Sequence, residues 1–179
     1  TVLWGSHQPR DSFDWSRLLR ELPEAREKYA GRLTIRLGAE LGEAPMGFAR
    51  AEKLLSQAPA LDFVIGSVHM AGEKYQHFDL YYIEKNSETY YHSVIDSYLE
   101  DVLRLARWGR FSVLGHLTLP LRYLNENLGE HVTFDGHYDQ CREIFRTLIE
   151  NGCGIECNTN RGNTPLPDAP LLRLYRQQD

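Results

Sequence analysis

The sequence contains little cysteine, no excess of positive charge and no long apolar segment, and each shortage argues against a class of protein. Its three cysteines are an odd number at low density, which argues against a disulfide scaffold and favours a reducing compartment. Acidic side chains outnumber basic ones by 25 to 20, whereas a surface that binds nucleic-acid phosphates is basic. No run is long enough to span a membrane, and the first residues do not resemble a secretion signal. We therefore expect a cytoplasmic protein without nucleic-acid or membrane partners. The sequence leaves its oligomeric state open.

Strand-like and helix-like segments alternate along the chain. Apolar residues make up 42% and charged residues 25% of the 179 residues, which is the balance of one globular domain, placed at residues 1–179. Such alternation is typical of an α/β fold with parallel strands. A helix beginning near Asp14 should be kinked or broken at Pro23. The predicted strands are Val2–Trp4, Leu33–Gly38, Leu61–Val68, Phe111–Leu114 and Gly154–Cys157.

Residues of metal-ligating types stand at the ends of four predicted strands: His7, Glu40, His69 and His116. In parallel α/β folds the carboxyl ends of the strands share one face, where catalytic residues collect. Imidazole nitrogen and carboxylate oxygen are ligands of Zn²⁺ and similar ions. The pattern therefore predicts a divalent-metal site on this face. A glycine shortly before each of these residues would let the backbone turn tightly there.

Other interpretations of these residues stay open at this point. A single histidine after a strand is more often an ordinary core or surface residue, and Glu43 lies close to Glu40 in the sequence. Recurrence at four strands is what favours a shared site. We interpret four tyrosines as packing residues rather than substrate-stacking ones, and the remaining histidines as loop or helix-surface residues. These are Tyr81, Tyr82, Tyr90 and Tyr91, and His77, His92, His131 and His137.

Four segments carry a resemblance to a known family: Leu37-Gly-Ala-Glu-Leu-Gly, Asp62-Phe-Val-Ile-Gly-Ser-Val-His, Val113-Leu-Gly-His and Ile155-Glu-Cys-Asn-Thr-Asn. They resemble, in the same order, motifs of the polymerase-and-histidinol-phosphatase (PHP) superfamily, and most of all its histidinol-phosphatase branch. The resemblance extends over nearly the whole chain. It implies a distorted (β/α)₇ TIM-like barrel with a trinuclear metal site at the carboxyl ends of its strands.

The resemblance also implies roles for the metal-ligating residues. Glu40 would bridge two metals, and His69 and His116 would bind one of them, so that these three residues act in catalysis through bound Zn, Mn or Fe ions. His7 stands where the family has a Thr-Asp/Glu-His element that ligates the third metal, but Ser6 replaces the acidic neighbour. Up to three ions are expected in a complete enzyme.

Three further residues resemble substrate-binding positions. Arg122 and Tyr123 resemble an Arg/Lys-Tyr pair near the substrate, and Arg161 resembles an arginine that follows the Asn-Thr motif. Guanidinium groups match phosphate oxygens bidentately, so both arginines would hold a phosphate ester. Thr118 departs from an aspartate that often follows the histidine by two residues, which leaves that aspartate's role unfilled.

Two family motifs, His-x-His on the first strand and Asp-x-His on the last, are absent from the sequence. The resemblance therefore implies a barrel that is incomplete at both ends, inactive by itself, prone to self-association through exposed strand edges and at best partly metallated. The function expected of the whole enzyme is hydrolysis of L-histidinol phosphate in histidine biosynthesis. The alternatives are another PHP phosphoesterase, acting on nucleotide or nucleic-acid phosphodiesters, and a non-catalytic barrel fragment.

Overall fold

The computed structural model describes residues 12–178. The predicted strand Val2–Trp4 and the candidate ligand His7 lie outside this range. The strands are β1 (Gly38–Gly42), β2 (Phe63–Ser67), β3 (Val113–Leu114) and β4 (Gly154–Ile155). The helices are α1 (Ser16–Lys28), α2 (Phe48–Gln57), α3 (Glu88–Trp108), α4 (Leu119–Leu121, continuing as a π-helical turn over Arg122–Asn127), α5 (Tyr138–Glu150) and α6 (Ala169–Arg176). Short 3₁₀ turns span Ala44–Met46, Glu73–Tyr75, Leu80–Tyr82 and Asn160–Gly162.

The four strands form one parallel sheet in the order β1-β2-β3-β4. Glu40 pairs with Ile65, Ile65 with Val113, and Val113 with Gly154, so the strands are in register across the sheet. Each strand lies beside its neighbour in sequence, which is the strand order of a (β/α) barrel. The α/β class with parallel strands is confirmed, and the structure is consistent with part of a TIM-like barrel.

The predicted strand Leu33–Gly38 is wrong in its position, because β1 begins where that segment was expected to end. Residues 33–37 lie before the paired strand, and their backbone bonds to two side chains as well as to the Asp62 N–H, which donates to the Leu37 carbonyl at 2.8 Å. Arg26 Nε donates to the carbonyl of Ile35, and the Leu37 N–H donates to Asp62 Oδ2 at 2.8 Å. The shift places Glu40 in the middle of β1 rather than after its end.

Helix α3 is the centre of the core, and α5 packs against it. Apolar side chains at helical spacing along α3, among them Val94, Ile95 and Tyr98, are completely buried. The Ser87 hydroxyl caps its first turn and Gly109, at φ 62°, ends it, as its left-handed conformation allows. Helix α1, in contrast, has no buried residue and runs through Pro23 without a break. Within residues 12–178 no helix is long and apolar enough to cross a membrane.

The glycines before the candidate ligands serve close packing rather than tight turns. Gly66 and Gly115 are not among the residues with positive φ. A Cβ at Gly66 would lie 2.8 Å from the ring of Phe111, and a Cβ at Gly115 would lie 2.9 Å from Ile65. Both contacts are shorter than van der Waals separation. Glycine is therefore needed where the strands and the core side chains meet beneath the site, so the expected reason was wrong.

Candidate metal centre

The structure brings Glu40, His69 and His116 together at the sheet. Glu40 lies within β1, His69 follows β2 by two residues, and His116 follows β3 by two residues. One ligand atom from each of the three residues lies within 4.8 Å of the other two. Both histidines are buried, and the side chain of Glu40 is 31% exposed. Three metal-ligating side chains, positioned by three adjacent strands, therefore lie close together.

The spacing of these atoms fits a shared divalent ion. Glu40 Oε1 is 3.3 Å from His69 Nε2 and 3.5 Å from His116 Nε2. Ligands about 2.1 Å from a tetrahedral zinc lie roughly 3.4 Å from one another. Two imidazoles and a carboxylate are also a donor set that zinc and related ions accept. Three protein ligands leave coordination positions open, as in catalytic rather than closed structural sites.

Hydrogen bonds within this cluster shift the pKa values of Glu40 and His69 in opposite directions. Hydrogen bonds with His116 and His69 hold the pKa of Glu40 well below its usual range. Burial disfavours a charge on His69, but hydrogen bonds with Glu40 and Glu43 outweigh it and raise the pKa of His69 to about 9. A metal ion at the ring nitrogen of His69 would therefore have to compete with a proton.

Two residues that the sequence analysis did not assign hold this cluster in place. The buried Ser67 hydroxyl donates to Glu40 Oε1 at 2.8 Å. Glu43, 6% exposed, accepts both the backbone N–H and the ring Nδ1 of His69 at 2.8 Å. Glu43 directly follows the sequence motif that contains Glu40, and this nearness was the one sign of its role in the sequence. The sequence could not show that Glu43 contacts His69.

His116 is supported from β4 through its backbone. The His116 N–H donates to Glu156 Oε2 at 2.9 Å, and Glu156 Oε1 accepts from Asn158 at 3.4 Å. His116 has φ 26°, an unusual conformation for a residue other than glycine. Glu156 stands after β4, at the strand end that supplied no predicted ligand. The predicted strand Gly154–Cys157 contained Glu156, so the strand-end rule could have identified this residue only once the observed end of β4 at Ile155 was known.

Arg122 is joined to the loop after β4, and Arg161 lies in that loop. Arg122 Nε donates to Asn160 Oδ1 at 3.0 Å, and the Asn160 N–H donates to Asn158 Oδ1 at 2.9 Å. Arg161 is exposed and has a positive φ of 56°. Among residues 12–178, neither arginine pairs with a carboxylate. The hydrogen bond between Arg122 and Asn160 therefore connects the helical turn after β3 to the loop after β4.

The aromatic residues near this region divide into exposed and buried ones. Tyr123 is buried, and its ring meets the edge of Tyr81 at a centroid distance of 5.8 Å. Tyr81 and Tyr82 are 55% and 62% exposed, and their rings contact each other at a centroid distance of 5.1 Å. Tyr91 is buried in the core, as expected. The Leu80 N–H donates to the His69 carbonyl, which places this aromatic turn directly beside the candidate ligand.

One pair of histidines outside the cluster is less exposed than expected. His92 Nδ1 and His137 Nε2 are 2.8 Å apart, and His137 is 4% exposed. Asp96 Oδ1 lies 2.9 Å from His137 Nδ1. This arrangement connects α3 to the residue before α5. Within the described part of the chain, the group of metal-ligating side chains close enough to hold an ion is the one formed by Glu40, His69 and His116.

The chain matches a family model described as the PHP domain over residues 7–160. The chain belongs to the PHP family. The match covers every strand of the sheet and all three residues of the metal-ligating cluster. PHP membership, first suggested by the four sequence motifs, is thereby confirmed.

Two individual proteins resemble this PHP chain. A probable histidinol-phosphatase of Deinococcus radiodurans is 32% identical over 170 residues, covering 90% of this chain and 62% of that protein. A crystal structure of histidinol phosphate phosphatase from Lactococcus lactis, complexed with zinc, L-histidinol and phosphate, has a TM-score of 0.71 at 20% identity. It covers 93% of this chain and 63% of the other. The PHP chain thus spans less than two thirds of either relative, and the second likeness concerns the fold alone.

Proposed function

We propose that the protein to which these 179 residues belong is a metal-dependent phosphomonoesterase that hydrolyses L-histidinol phosphate to L-histidinol and phosphate. The observation that carries this proposal is the cluster of Glu40, His69 and His116, whose donor atoms have the spacing of a shared ion. The resemblance to a probable histidinol-phosphatase supports the choice of substrate. We also propose that this reaction belongs to histidine biosynthesis and that the protein is cytoplasmic.

The residues of the cluster would hold the ion and leave part of its coordination open. Glu40 supplies a carboxylate oxygen and the two histidines supply ring nitrogens. A divalent metal bound there would lower the pKa of water and neutralise charge on phosphate oxygens. We propose zinc, with manganese or iron as alternatives, and up to three ions in the whole enzyme. His7, which lies outside the described residues, remains a proposed further ligand.

Arg122, Tyr123 and Arg161 remain the proposed substrate-binding residues. Arg122 uses Nε for its hydrogen bond to Asn160. Its two terminal nitrogens can therefore donate side by side to two phosphate oxygens. Arg161 directly follows Asn160 in the sequence and is exposed. Two guanidinium groups, one from the π-helical turn after α4 and one from the loop after β4, would hold the phosphoryl group and stabilise negative charge as it develops.

The test measures phosphate release from L-histidinol phosphate by the complete polypeptide that contains this chain, after removal and restoration of zinc or manganese. A phosphodiester such as bis(4-nitrophenyl) phosphate serves as the competing substrate class. We expect hydrolysis of the monoester, its loss in His116→Ala and in the presence of chelator, and weaker phosphate binding with slower turnover in Arg122→Ala. Preference for the diester, or unchanged activity in His116→Ala, would contradict the proposal.

A further inference from the structure

Glu43 contacts His69 of the candidate centre twice through one carboxylate oxygen. Its Oε1 atom lies 2.8 Å from both the backbone nitrogen and the Nδ1 atom of His69. The side chain of Glu43 is only 3% exposed, and that of His69 is 10% exposed. A carboxylate this deeply buried needs hydrogen-bond partners, and His69 supplies two donors to the same oxygen.

The backbone holds Glu43 in an unusual conformation that aims its side chain at His69. Glu43 follows the last residue of β1 and has φ 57°, a left-handed conformation that residues other than glycine rarely adopt. Its N–H donates to the Ser67 carbonyl at 3.0 Å, which continues the pairing between β1 and β2. The turn is therefore anchored on the strand that leads to His69, two residues farther along.

The bond between Glu43 and His69 decides which ring nitrogen carries hydrogen. An ionised carboxylate only accepts hydrogen bonds, so Nδ1 must carry hydrogen when it bonds to Glu43. In the neutral ring, Nε2 is then the nitrogen that carries no hydrogen. That atom lies 3.3 Å from Glu40 Oε1, on the side of the ring where the cluster is.

We propose that Glu43 is a positioning residue that fixes the ring orientation and tautomer of His69, so that Nε2 is presented to a divalent metal shared with Glu40 and His116. This inference rests on the metal site of the proposed function. Carboxylate partners of this kind orient histidine ligands in metal sites generally. His116 shows the contrast, because its Nδ1 is buried and has no hydrogen-bond partner among the described residues.

The test compares Glu43→Ala and Glu43→Gln with the unmodified 179-residue chain by titrating the metal-free proteins with Co²⁺. Glutamine keeps a carbonyl oxygen that can accept from Nδ1, whereas alanine does not. Asp62→Ala is the matched control, because Asp62 accepts the Leu37 N–H just before β2 begins, away from the cluster. Cobalt absorption bands report both affinity and ligand geometry, without any substrate.

We expect Glu43→Ala to weaken Co²⁺ binding by about 10- to 100-fold, the effect typical of removing such a partner, and to alter the absorption spectrum. Glu43→Gln should restore most of the affinity, and Asp62→Ala should lower thermal stability while binding Co²⁺ normally. Equal affinity and spectra for Glu43→Ala and the unmodified chain would overturn the role. So would a Glu43→Gln protein as weak as Glu43→Ala.

A second measurement uses the unmodified chain and does not depend on whether a variant folds. Long-range ¹H–¹⁵N correlation spectra of the zinc-loaded chain should show His69 with hydrogen on Nδ1. Hydrogen on Nε2 would overturn the proposal. Loss of Co²⁺ affinity in Glu43→Ala, together with no hydrolysis of histidinol phosphate by the complete polypeptide, would refute the function and leave the role of Glu43 standing. An unmodified chain that binds no Co²⁺ would refute the metal site and this role together.

Discussion

Zinc affinity should rise steeply with pH because His69 must lose a proton when zinc binds its ring. Burial opposes the charge, but Glu40 and Glu43 raise the pKa of His69 to about 9. Below that pKa, each unit of pH lost should weaken zinc binding about tenfold. At pH 7 the two-unit gap corresponds to roughly 2.7 kcal/mol, or a hundredfold loss of affinity. An ordinary histidine would produce almost no pH dependence above pH 7.5.

The assay is competition for zinc between the chain and a chelator of known proton linkage, at intervals from pH 6.5 to 8.5. Calorimetry in buffers of different ionisation enthalpy should independently count about one proton released at pH 7.5. His131→Gln is the control, because His131 is exposed and outside the cluster; it should leave the slope unchanged. A flat dependence between pH 7 and 8.5, with no proton released, would refute the reasoning about His69.

The same proton affects the stability of the metal-free chain. A pKa that is raised on folding stabilises the folded state fully below the unfolded value, about 6.5, and this contribution is lost as pH rises through the folded value. The melting temperature of the metal-free chain should therefore fall between about pH 6.5 and pH 9. Zinc should oppose that fall, because the bound ion replaces the proton as the positive charge near Glu40 and Glu43.

Two further predictions concern packing and thiol chemistry. Gly66→Ala should destabilise the chain by about 1–3 kcal/mol, since the new methyl would lie 2.8 Å from the buried Phe111 ring. Thermal melting measures this loss of stability, and adding Phe111→Leu to the Gly66→Ala chain should recover part of it. An unchanged melting temperature in Gly66→Ala would contradict the prediction. Iodoacetamide should label only the exposed Cys157 in the native chain, because Cys141 and Cys153 are buried. Burial also raises the pKa of both buried thiols, that of Cys141 to about 12. Mass spectrometry should show one adduct before unfolding and three after it, and rapid labelling of a second cysteine in the native chain would refute this account.

The main features of the fold could be predicted because they depend on local patterns. The apolar run before His69 contains strand β2, and the apolar residues at helical spacing from Tyr91 to Val102 are buried in α3. The position of β1 could not be predicted in the same way. Residues 33–37 alternate like a strand, but Ile35 and Leu37 form backbone hydrogen bonds with Arg26 and Asp62, which are distant in the sequence. Such long-range bonds leave no periodic signal in the sequence.

The candidate site shows the same division between local and long-range information. His69 and His116 could be selected because each follows a strand. The role of Glu43 depends on a left-handed turn and on a contact with a residue 26 positions away. The exposure of Tyr81 depends likewise on a short 3₁₀ turn whose backbone bonds to His69. Neither feature follows from residue type or spacing alone.

The central claim is that Glu40, His69 and His116 hold a divalent metal, and anomalous diffraction from crystals grown with zinc tests it most directly. Data collected on both sides of the zinc absorption edge identify the element and its position. We predict a zinc peak about 2.0–2.2 Å from a Glu40 carboxylate oxygen and from Nε2 of both histidines. A zinc-saturated crystal with no anomalous peak among these three side chains would contradict the account.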